Sequence, residues 1–215
     1  MAYTLILGNK NLSSWSLRAY IAMRATGAAF DEVTVRLDQP ETRASIGNHS
    51  PAGKVPVLKI SEGGRSVTVW DSLAICETLA ERHPDARLWP DGGATRALAR
   101  SYAAEMHSGF ADLREQLPMD FARHVAMPAL REATAKQIAR IIEAWRGALA
   151  ENGGGFLFGR FSIADCMYAP VVSRFATYGV DVPPVVKGYC ERIMALPAMQ
   201  DWGAGAKREL EAGWK

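Results

Sequence analysis

A proline inside an apolar run is the feature that most restricts how this chain can fold. Residues 53–58 read GKVPVL, so Pro56 stands between two valines in a segment that otherwise predicts a β-strand. Proline cannot donate a ladder hydrogen bond, and it therefore belongs at a strand start, a sheet edge or a bend. A trans proline that opens an edge strand is the more frequent arrangement, because only about 5–6% of X-Pro bonds in folded proteins are cis. A cis Val55–Pro56 bond would instead turn the preceding backbone towards a groove, and the local sequence leaves both alternatives open.

The segments on both sides of this proline predict a small domain of strands and helices. Short β-rich runs occur at 3–7 and 30–37, and the helical stripe between them predicts a strand–helix–strand unit with a parallel pair. After the proline, strands are predicted at 55–60 and 67–70, joined by the turn sequence EGGR, and a helix is predicted from Ser72 onward. This order of elements predicts an α/β fold for the N-terminal part of the chain.

Beyond this part the strand signal nearly disappears. We predict a first domain at 1–83, a linker at 84–95 that contains the sequence LWPDGG, and an all-helical domain at 96–215. The residues after 197 are only weakly periodic. The predicted helices of the second domain cover residues 96–117, 127–149, 163–178 and 184–196.

Charge and composition exclude several classes of function. The formal net charge is only +2 and no run of Lys and Arg occurs, so nothing favours a nucleic-acid partner. No apolar run approaches the roughly 20 residues that span a bilayer, and the N-terminus predicts a strand rather than a signal peptide. We therefore expect a cytoplasmic protein that has no membrane partner.

The cysteines and histidines do not predict a metal site. The three cysteines, Cys76, Cys166 and Cys190, are widely spaced, and no CxxC motif or Cys/His cluster has metal-ligand spacing. We interpret them as buried thiols that act as small hydrophobic side chains.

Two predicted helix starts carry polar side chains that could hold a ligand. Residues 13–16 read SSWS at the first strand-to-helix junction, where free N–H groups and the helix dipole favour an anion such as a thiolate or a phosphate. Asp71 and Ser72 open a later helix, where a carboxylate and a hydroxyl could hold the ammonium and the carboxylate of an amino acid. Taken alone, each position is explained more simply by plain N-capping.

Four motifs in this order resemble those of a cytosolic glutathione transferase, and the resemblance covers essentially the whole chain. Residues 13–18, SSWSLR, resemble the serine-serine-cysteine-serine-tryptophan-arginine signature of the zeta class, the maleylacetoacetate isomerases. Residues 53–58 are similar to the cis-proline segment of the family, and residues 71–72 to its acidic residue–serine pair. Residues 161–165, FSIAD, are similar to the capping box of its C-terminal domain. The resemblance implies a thioredoxin-like N-terminal domain followed by an all-α helical domain.

The resemblance also implies a role for each matched residue. Ser13 would donate a hydrogen bond to the glutathione sulfur, with Ser14 as the alternative. Lys54 would reach the glycyl carboxylate, and Val55, with Pro56 cis, would pair its backbone with the cysteinyl part. The γ-glutamyl head would then be held by Asp71 and Ser72.

The activity implied by the resemblance is conjugation of glutathione, as a co-substrate, to a small electrophile, without a metal and with a role in detoxification. The alternatives are a glutathione-dependent cis-trans isomerase and a glutathione-binding protein without turnover. Trp15 stands where the zeta class has cysteine, which weakens the isomerase alternative. The resemblance further implies a homodimer. The electrophile would lie between the domains, near Asn11, Leu12, Met106, His107 and Phe110.

Overall fold

The N-terminal domain is built on one four-stranded sheet. The structure is a computed structural model and describes residues 1–214. The strands are β1 (Ala2–Gly8), β2 (Asp31–Val35), β3 (Val57–Glu62) and β4 (Arg65–Trp70). Their order across the sheet is β2-β1-β3-β4, in which β1 and β2 are parallel and the other two pairs are antiparallel. The predicted parallel pair and the hairpin are confirmed.

Helices cover both faces of this sheet. They are α1 (Ser14–Ala25), α2 (Thr42–Gly47) and α3 (Ser72–Arg82). Side chains alternate across a strand, so Leu5 and Leu7 of β1 join the core beneath α1 and α3, whereas Ile6 packs with Ile46 of α2 on the opposite face. The sheet is therefore buried on both sides, and the loop after β1 leads directly into α1.

The second domain contains helices alone within the described residues. A 3-10 turn at Pro84–Ala86 lies in the predicted linker, and the division into domains at these residues stays a prediction. No helix in the described part of the chain is long and apolar enough to cross a membrane. The helices are α4 (Gly93–Ser108), α5 (Ala111–Gln116), α6 (Glu132–Glu151), α7 (Ile163–Tyr178), α8 (Pro184–Met194) and α9 (Pro197–Glu211).

The prediction of one helix over 96–117 is wrong, because the chain breaks between α4 and α5. Gly109 is extended, and a Cβ there would lie 2.8 Å from the Glu105 carbonyl oxygen. Phe110 then adopts the left-handed conformation, with φ 59°. The apolar stripe continues through the break, which explains why periodicity alone does not reveal it.

Helix α9 was not predicted from the weak periodicity after residue 197. Its buried residues include Met199 and Trp202, and Trp202 is fully buried against the ring of Tyr20 on α1. The helix therefore packs against the N-terminal domain, and tertiary contacts stabilise it where its own pattern is poor.

Helix α7 is the central element that joins the two domains. It packs against α1 and α4, and the Arg18 Nε of α1 donates to the Met167 carbonyl at 3.2 Å. Its predicted capping box, formed by Ser162 and Asp165, is confirmed. This packing fixes the position of the N-terminus of α1 relative to the helical domain.

Candidate functional site

A cleft of about 1030 Å³ lies between the two domains. Its walls come from the loop before α1, from residues 52–56, from the start of α3, and from α4, α5 and α7. The segments that were singled out in the sequence therefore meet at one surface. The predicted site residues that line this cleft are Leu12, Ser13, Ser14, Lys54, Val55, Pro56, Asp71, Ser72 and His107.

Ser13 is the N-cap of α1 and belongs to a short chain of hydrogen bonds. The Ser13 hydroxyl donates to the Ser16 Oγ at 2.7 Å, and the Gly8 N–H donates to the same Ser16 Oγ at 3.0 Å. Ser16 is fully buried, so its hydroxyl is held in place. A hydroxyl can both donate and accept, and Ser16 can therefore donate to Ser13 and leave the Ser13 proton for a group in the cleft.

Ser14 offers a second hydroxyl at the same helix start. It occupies the first turn of α1 and lines the cleft. Unlike Ser13, its side chain makes no hydrogen bond to another residue within 1–214. Both serines can thus present a donor to an anion beside the positive end of the helix dipole, and the choice between them stays open.

The Val55–Pro56 bond is cis, as the resemblance implies. Strand β3 begins at Val57, so Val55 and Pro56 precede the ladder and lie on the cleft wall. Lys54 is exposed beside them. The sequence prediction that β3 starts at residue 55 is thus two residues too early.

Asp71 and Ser72 form the opposite end of the cleft. Asp71 has φ 74°, a left-handed value that is uncommon for a residue other than glycine, and its Oδ1 accepts from the Leu73 N–H at 2.8 Å. Its Oδ2 lies 3.3 Å from the Nε2 of His107 on α4. The Ser72 hydroxyl is buried and has no hydrogen-bond partner among residues 1–214. A buried hydroxyl without a partner is costly, and at a cleft wall it indicates a place for a ligand.

The remaining wall is cationic. Arg114 and Arg174 line the cleft, and neither forms an ion pair within the described part of the chain. Arg174 is 3% exposed, and burial together with the nearby Arg114 lowers its pKa to about 10. Burial also lowers the pKa of Arg114. Arg174 is thus buried and Arg114 half-buried, both donate to backbone carbonyls, and cations without an ion-pair partner at a cleft favour an anionic ligand.

Trp15 connects this cationic wall to α1. Two guanidinium groups lie over its ring, with the Arg18 Cζ at 4.3 Å and the Arg114 Cζ at 5.5 Å from the ring centre. Arg18 is fully buried, and its two terminal nitrogens have no hydrogen-bond partner in residues 1–214. Burial, followed by repulsion from Arg174 and Arg114, lowers the pKa of Arg18 to about 9. Trp15 therefore covers one cation and holds another at the cleft.

Three of the residues predicted at the electrophile site lie elsewhere. Met106 is fully buried in the core and Phe110 is 8% exposed at the break between α4 and α5. The Asn11 side chain is fully buried, where it donates to the Asp120 Oδ1 at 2.8 Å and accepts from the Ala122 N–H at 2.9 Å. These residues shape the cleft from behind, and only Leu12 and His107 of the predicted set face it.

Sequence reasoning missed Arg114 and Arg174, and it gave Ser16 no role of its own within the candidate segment 13–16. The spacing of Ser13 and Ser16, from N-cap to third helical position, was a usable signal because these side chains meet at a helix start. The two arginines lie on α5 and α7, and no local pattern shows that they meet. Within the described residues, no group of three or more His, Cys, Asp or Glu side chains could hold a metal ion.

These observations define a class of protein: a thioredoxin-like domain joined to an all-helical domain, with a polar cleft for a small anionic molecule between them. Comparison with known proteins identifies the family. The family model for the glutathione S-transferase N-terminal domain matches residues 12–82, and that for the C-terminal domain matches residues 128–202. The chain belongs to the glutathione S-transferase family.

Individual relatives cover nearly the whole chain. The maleylacetoacetate isomerase of Rattus norvegicus is 27% identical over an alignment of 194 residues, and the alignment covers 87% of this chain and 87% of that protein. A glutathione transferase homolog from Burkholderia gl BGR1, solved with bound glutathione, has a TM-score of 0.73 and 26% identity, with 97% of this chain and 99% of that chain covered. Maleylacetoacetate isomerase from Anaeromyxobacter dehalogenans, with dicarboxyethyl glutathione and citrate in its active site, has a TM-score of 0.69 and 27% identity, with 96% and 93% covered.

Proposed function

We propose that this chain binds glutathione in the inter-domain cleft, ionises its thiol and adds the thiolate to a small electrophile. The observation that carries the proposal is the Ser72 hydroxyl, buried without a partner beside Asp71, at the same cleft as the Ser13 hydroxyl. One end of the cleft thus suits the head of an amino acid and the other suits a thiolate. The match to both domains of the glutathione S-transferase family supports glutathione as the molecule that joins them.

The residues that would bind the peptide part of glutathione are assigned from their charge and hydrogen-bonding capacity. Asp71 presents a carboxylate to the γ-glutamyl ammonium, and Ser72 presents its unpartnered hydroxyl to the γ-glutamyl carboxylate. Val55 offers backbone groups to the cysteinyl part, and the exposed Lys54 reaches the glycyl carboxylate. The ammonium and the glycyl carboxylate thereby have partners of opposite charge, and the γ-glutamyl carboxylate has a hydrogen-bond donor.

The sulfur end lowers the pKa of the thiol. A free thiol has a pKa of about 8.5, and each unit by which the site lowers it corresponds to about 1.36 kcal/mol of preference for the thiolate. Ser13, whose hydroxyl donates to the Ser16 Oγ in the structure, would turn its proton to the sulfur, and Ser16, held by the Gly8 N–H, would then donate to Ser13. The positive end of α1 adds to this preference. Ser14 is the alternative donor.

The cationic wall favours an electrophile that carries a carboxylate. Arg114 and Arg174 reach the cleft without an anion of their own, and Leu12 and Trp15 provide apolar surface beside them. A carboxylate held by these guanidinium groups would fix the electrophilic carbon near the sulfur. The thiolate then forms a carbon–sulfur bond, and either a leaving group departs with its electron pair or the adduct takes a proton. The dicarboxyethyl glutathione in the bacterial relative is a thioether of this chemical kind.

The second candidate is a glutathione-dependent cis-trans isomerase, which the similarity to maleylacetoacetate isomerases favours. In such a reaction the thiolate adds to a double bond and leaves again after rotation. The same cleft could serve both reactions, since the first step is shared. Trp15, which stands where the zeta-class signature has cysteine, favours transfer over isomerisation as the main reaction.

A binding and turnover experiment tests this function. We expect the chain to be retained on glutathione-agarose and to turn over a carboxylate-bearing electrophile faster than its neutral ester. Replacing the sulfur donor, Ser13→Ala, should lower kcat by about 100-fold with little change in glutathione affinity, by analogy with the removal of one donor to a developing anion. Retention without turnover of any electrophile would indicate a glutathione-binding protein that is not an enzyme. Normal turnover by Ser13→Ala would indicate that Ser14 is the donor to the sulfur.

We also propose that the chain forms a homodimer in the cytoplasm. Val67 and Trp70 on the edge strand β4 are 51% and 46% exposed, and Leu98 on α4 is 41% exposed. Exposed apolar side chains on a sheet edge are commonly covered by a partner. The mass of the protein in solution tests this part of the proposal.

A further inference from the structure

The loop that carries Ser13 is held by a helix at the other end of the chain. Glu209 lies on α9 and is 9% exposed. Its Oε1 accepts from the Lys10 N–H at 2.8 Å, and its Oε2 accepts from the Asn11 N–H at 2.9 Å. Both carboxylate oxygens are therefore used on two consecutive backbone groups, two residues before Ser13.

Two other residues on the same face of α9 contact this loop. The Trp202 Nε1–H donates to the Lys10 carbonyl at 2.6 Å. Gly205 allows the Lys10 side chain to approach the helix, because a Cβ at that position would lie 2.5 Å from the Lys10 Cδ. Residues 202, 205 and 209 recur every three to four positions and so share one helix face. This face of α9 therefore contacts the loop through the Glu209 carboxylate, the Trp202 N–H and the space left by Gly205.

Without its hydrogen bonds to the loop, the Glu209 carboxylate would be in an energetically unfavourable position. A negative charge near the C-terminal end of a helix is repelled by the helix dipole, and burial of a carboxylate is costly. The Lys10 ammonium does not offset that cost, since it pairs with Glu32 at 2.7 Å and lies over the rings of Tyr20 and Trp202. The two backbone N–H groups are the recorded partners of the Glu209 carboxylate among residues 1–214.

The path from Glu209 to Ser13 is short and tight. The N–H groups of Leu12 and Ser13 both donate to the Asn9 carbonyl, at 3.2 and 2.8 Å, so the two residues that Glu209 holds are the centre of the turn that leads to Ser13. The Asn11 side chain further ties this turn to Asp120 and Ala122. A shift at Lys10 or Asn11 would thus be transmitted to the Ser13 hydroxyl.

We propose that Glu209 is a positioning residue for the reaction: it fixes the Lys10–Asn11 backbone so that the Ser13 hydroxyl and the N-terminus of α1 meet the glutathione sulfur. This inference rests on the proposed function. The group acts through the loop and does not touch the substrate. A displacement of 1 Å or less at a reacting group is enough to lower the rate of an enzyme substantially.

The test is Glu209→Gln, with Glu211→Gln as the matched control on the exposed face of the same helix. The amide keeps one acceptor oxygen but turns an NH₂ group towards the second backbone N–H. We expect Glu209→Gln to raise the pKa of the bound glutathione thiol, measured from thiolate absorbance, by about one unit. We expect kcat to fall by about tenfold with glutathione affinity within about twofold of the wild type, because only the sulfur end is displaced.

Trp202→Phe provides a second variant that keeps an aromatic ring, though a smaller one, and removes the donor to the Lys10 carbonyl. It should shift the thiol pKa and kcat in the same direction as Glu209→Gln, and it replaces that variant if Glu209→Gln does not fold. A lower melting temperature with an unchanged thiol pKa and kcat would show a merely structural role and overturn the inference alone. A wild-type protein that binds no glutathione, or does not ionise it, would overturn the proposed function together with the inference.

Discussion

Two helix starts in this protein look alike in sequence and differ in what they do. The start of α3 has Asp71 and Ser72, and the start of α7 has Ser162 and Asp165; each pairs a carboxylate with a hydroxyl. At α7 every polar group of the pair has a partner: Asp165 accepts from the Leu157 and Ser162 N–H groups at 3.1 and 2.9 Å, and from the Ser162 hydroxyl at 3.0 Å. At α3 the Ser72 hydroxyl has no partner in the described residues, and Asp71 is exposed.

The difference separates a structural cap from a binding site. The α7 cap is fully buried, and burial raises the pKa of Asp165 to about 6 in spite of its hydrogen bonds. Its backbone at Ser162 is extended, with φ −148°, whereas Asp71 has φ 74°. A non-glycine residue in that conformation persists only where its surroundings enforce it, and such residues are frequent at functional sites. The hydrogen-bonded Ser162 and Asp165 thus stabilise the helical domain, whereas the Ser72 hydroxyl, which has no partner in the described residues, lies at the cleft as a donor for a ligand.

Of the substitutions that test this comparison, Asp165→Ala should have the largest effect, and the effect should be on stability. It leaves two buried N–H groups without an acceptor, and we expect the free energy of unfolding to fall by about 3 kcal/mol, or on the order of 10 °C in melting temperature. Asp165 has a raised pKa in the folded state, so its contribution is fully present below about pH 4 and is lost as the pH rises through about 6. The loss measured by denaturant unfolding should therefore be larger at pH 4 than at pH 7. Equal losses at both values would contradict the raised pKa.

Asp71→Asn should act on binding instead of stability. Asparagine caps a helix about as well as aspartate, so the free energy of unfolding should change by less than about 0.5 kcal/mol. The lost negative charge should weaken glutathione binding by about tenfold, equivalent to about 1.4 kcal/mol. Calorimetric titration measures this, with the exposed Asp181→Asn as the control. Unchanged affinity would remove Asp71 from the binding site.

Substitution of Ser162 and of Ser72 compares the hydroxyl groups of the two helix starts and should give the smallest effects. Ser162→Ala should destabilise the protein by about 1 kcal/mol, the usual cost of losing an N-cap, and leave glutathione affinity unchanged. Ser72→Ala should be neutral or slightly stabilising without ligand, since it removes a buried hydroxyl that has no partner, yet it should weaken glutathione binding by several-fold. Thermal unfolding with and without glutathione measures both effects. Destabilisation by Ser72→Ala in the ligand-free protein would make the two caps equivalent.

Local pattern predicted much of this fold. The strands, the hairpin, α1, α3, α7 and α8 follow from periodicity and from residues such as Gly27 and Pro184 that end or begin helices. The break before Phe110 was not predicted, because the apolar stripe runs through it. Helix α9 was not predicted, because its stability comes from packing on α1. Tertiary packing thus stabilises α9 against its weak local pattern.

The sequence by itself determined the two helix starts, the proline segment and the capping box, because each depends on neighbours within a few residues. Tertiary structure alone decided which cap faces a cleft, since a hydroxyl is satisfied or orphaned only by groups that arrive from elsewhere in the chain. It likewise brought Arg114 and Arg174 to that cleft and placed Glu209 against a loop about 200 residues before it. Those distant contacts turn one of two similar caps into a binding site.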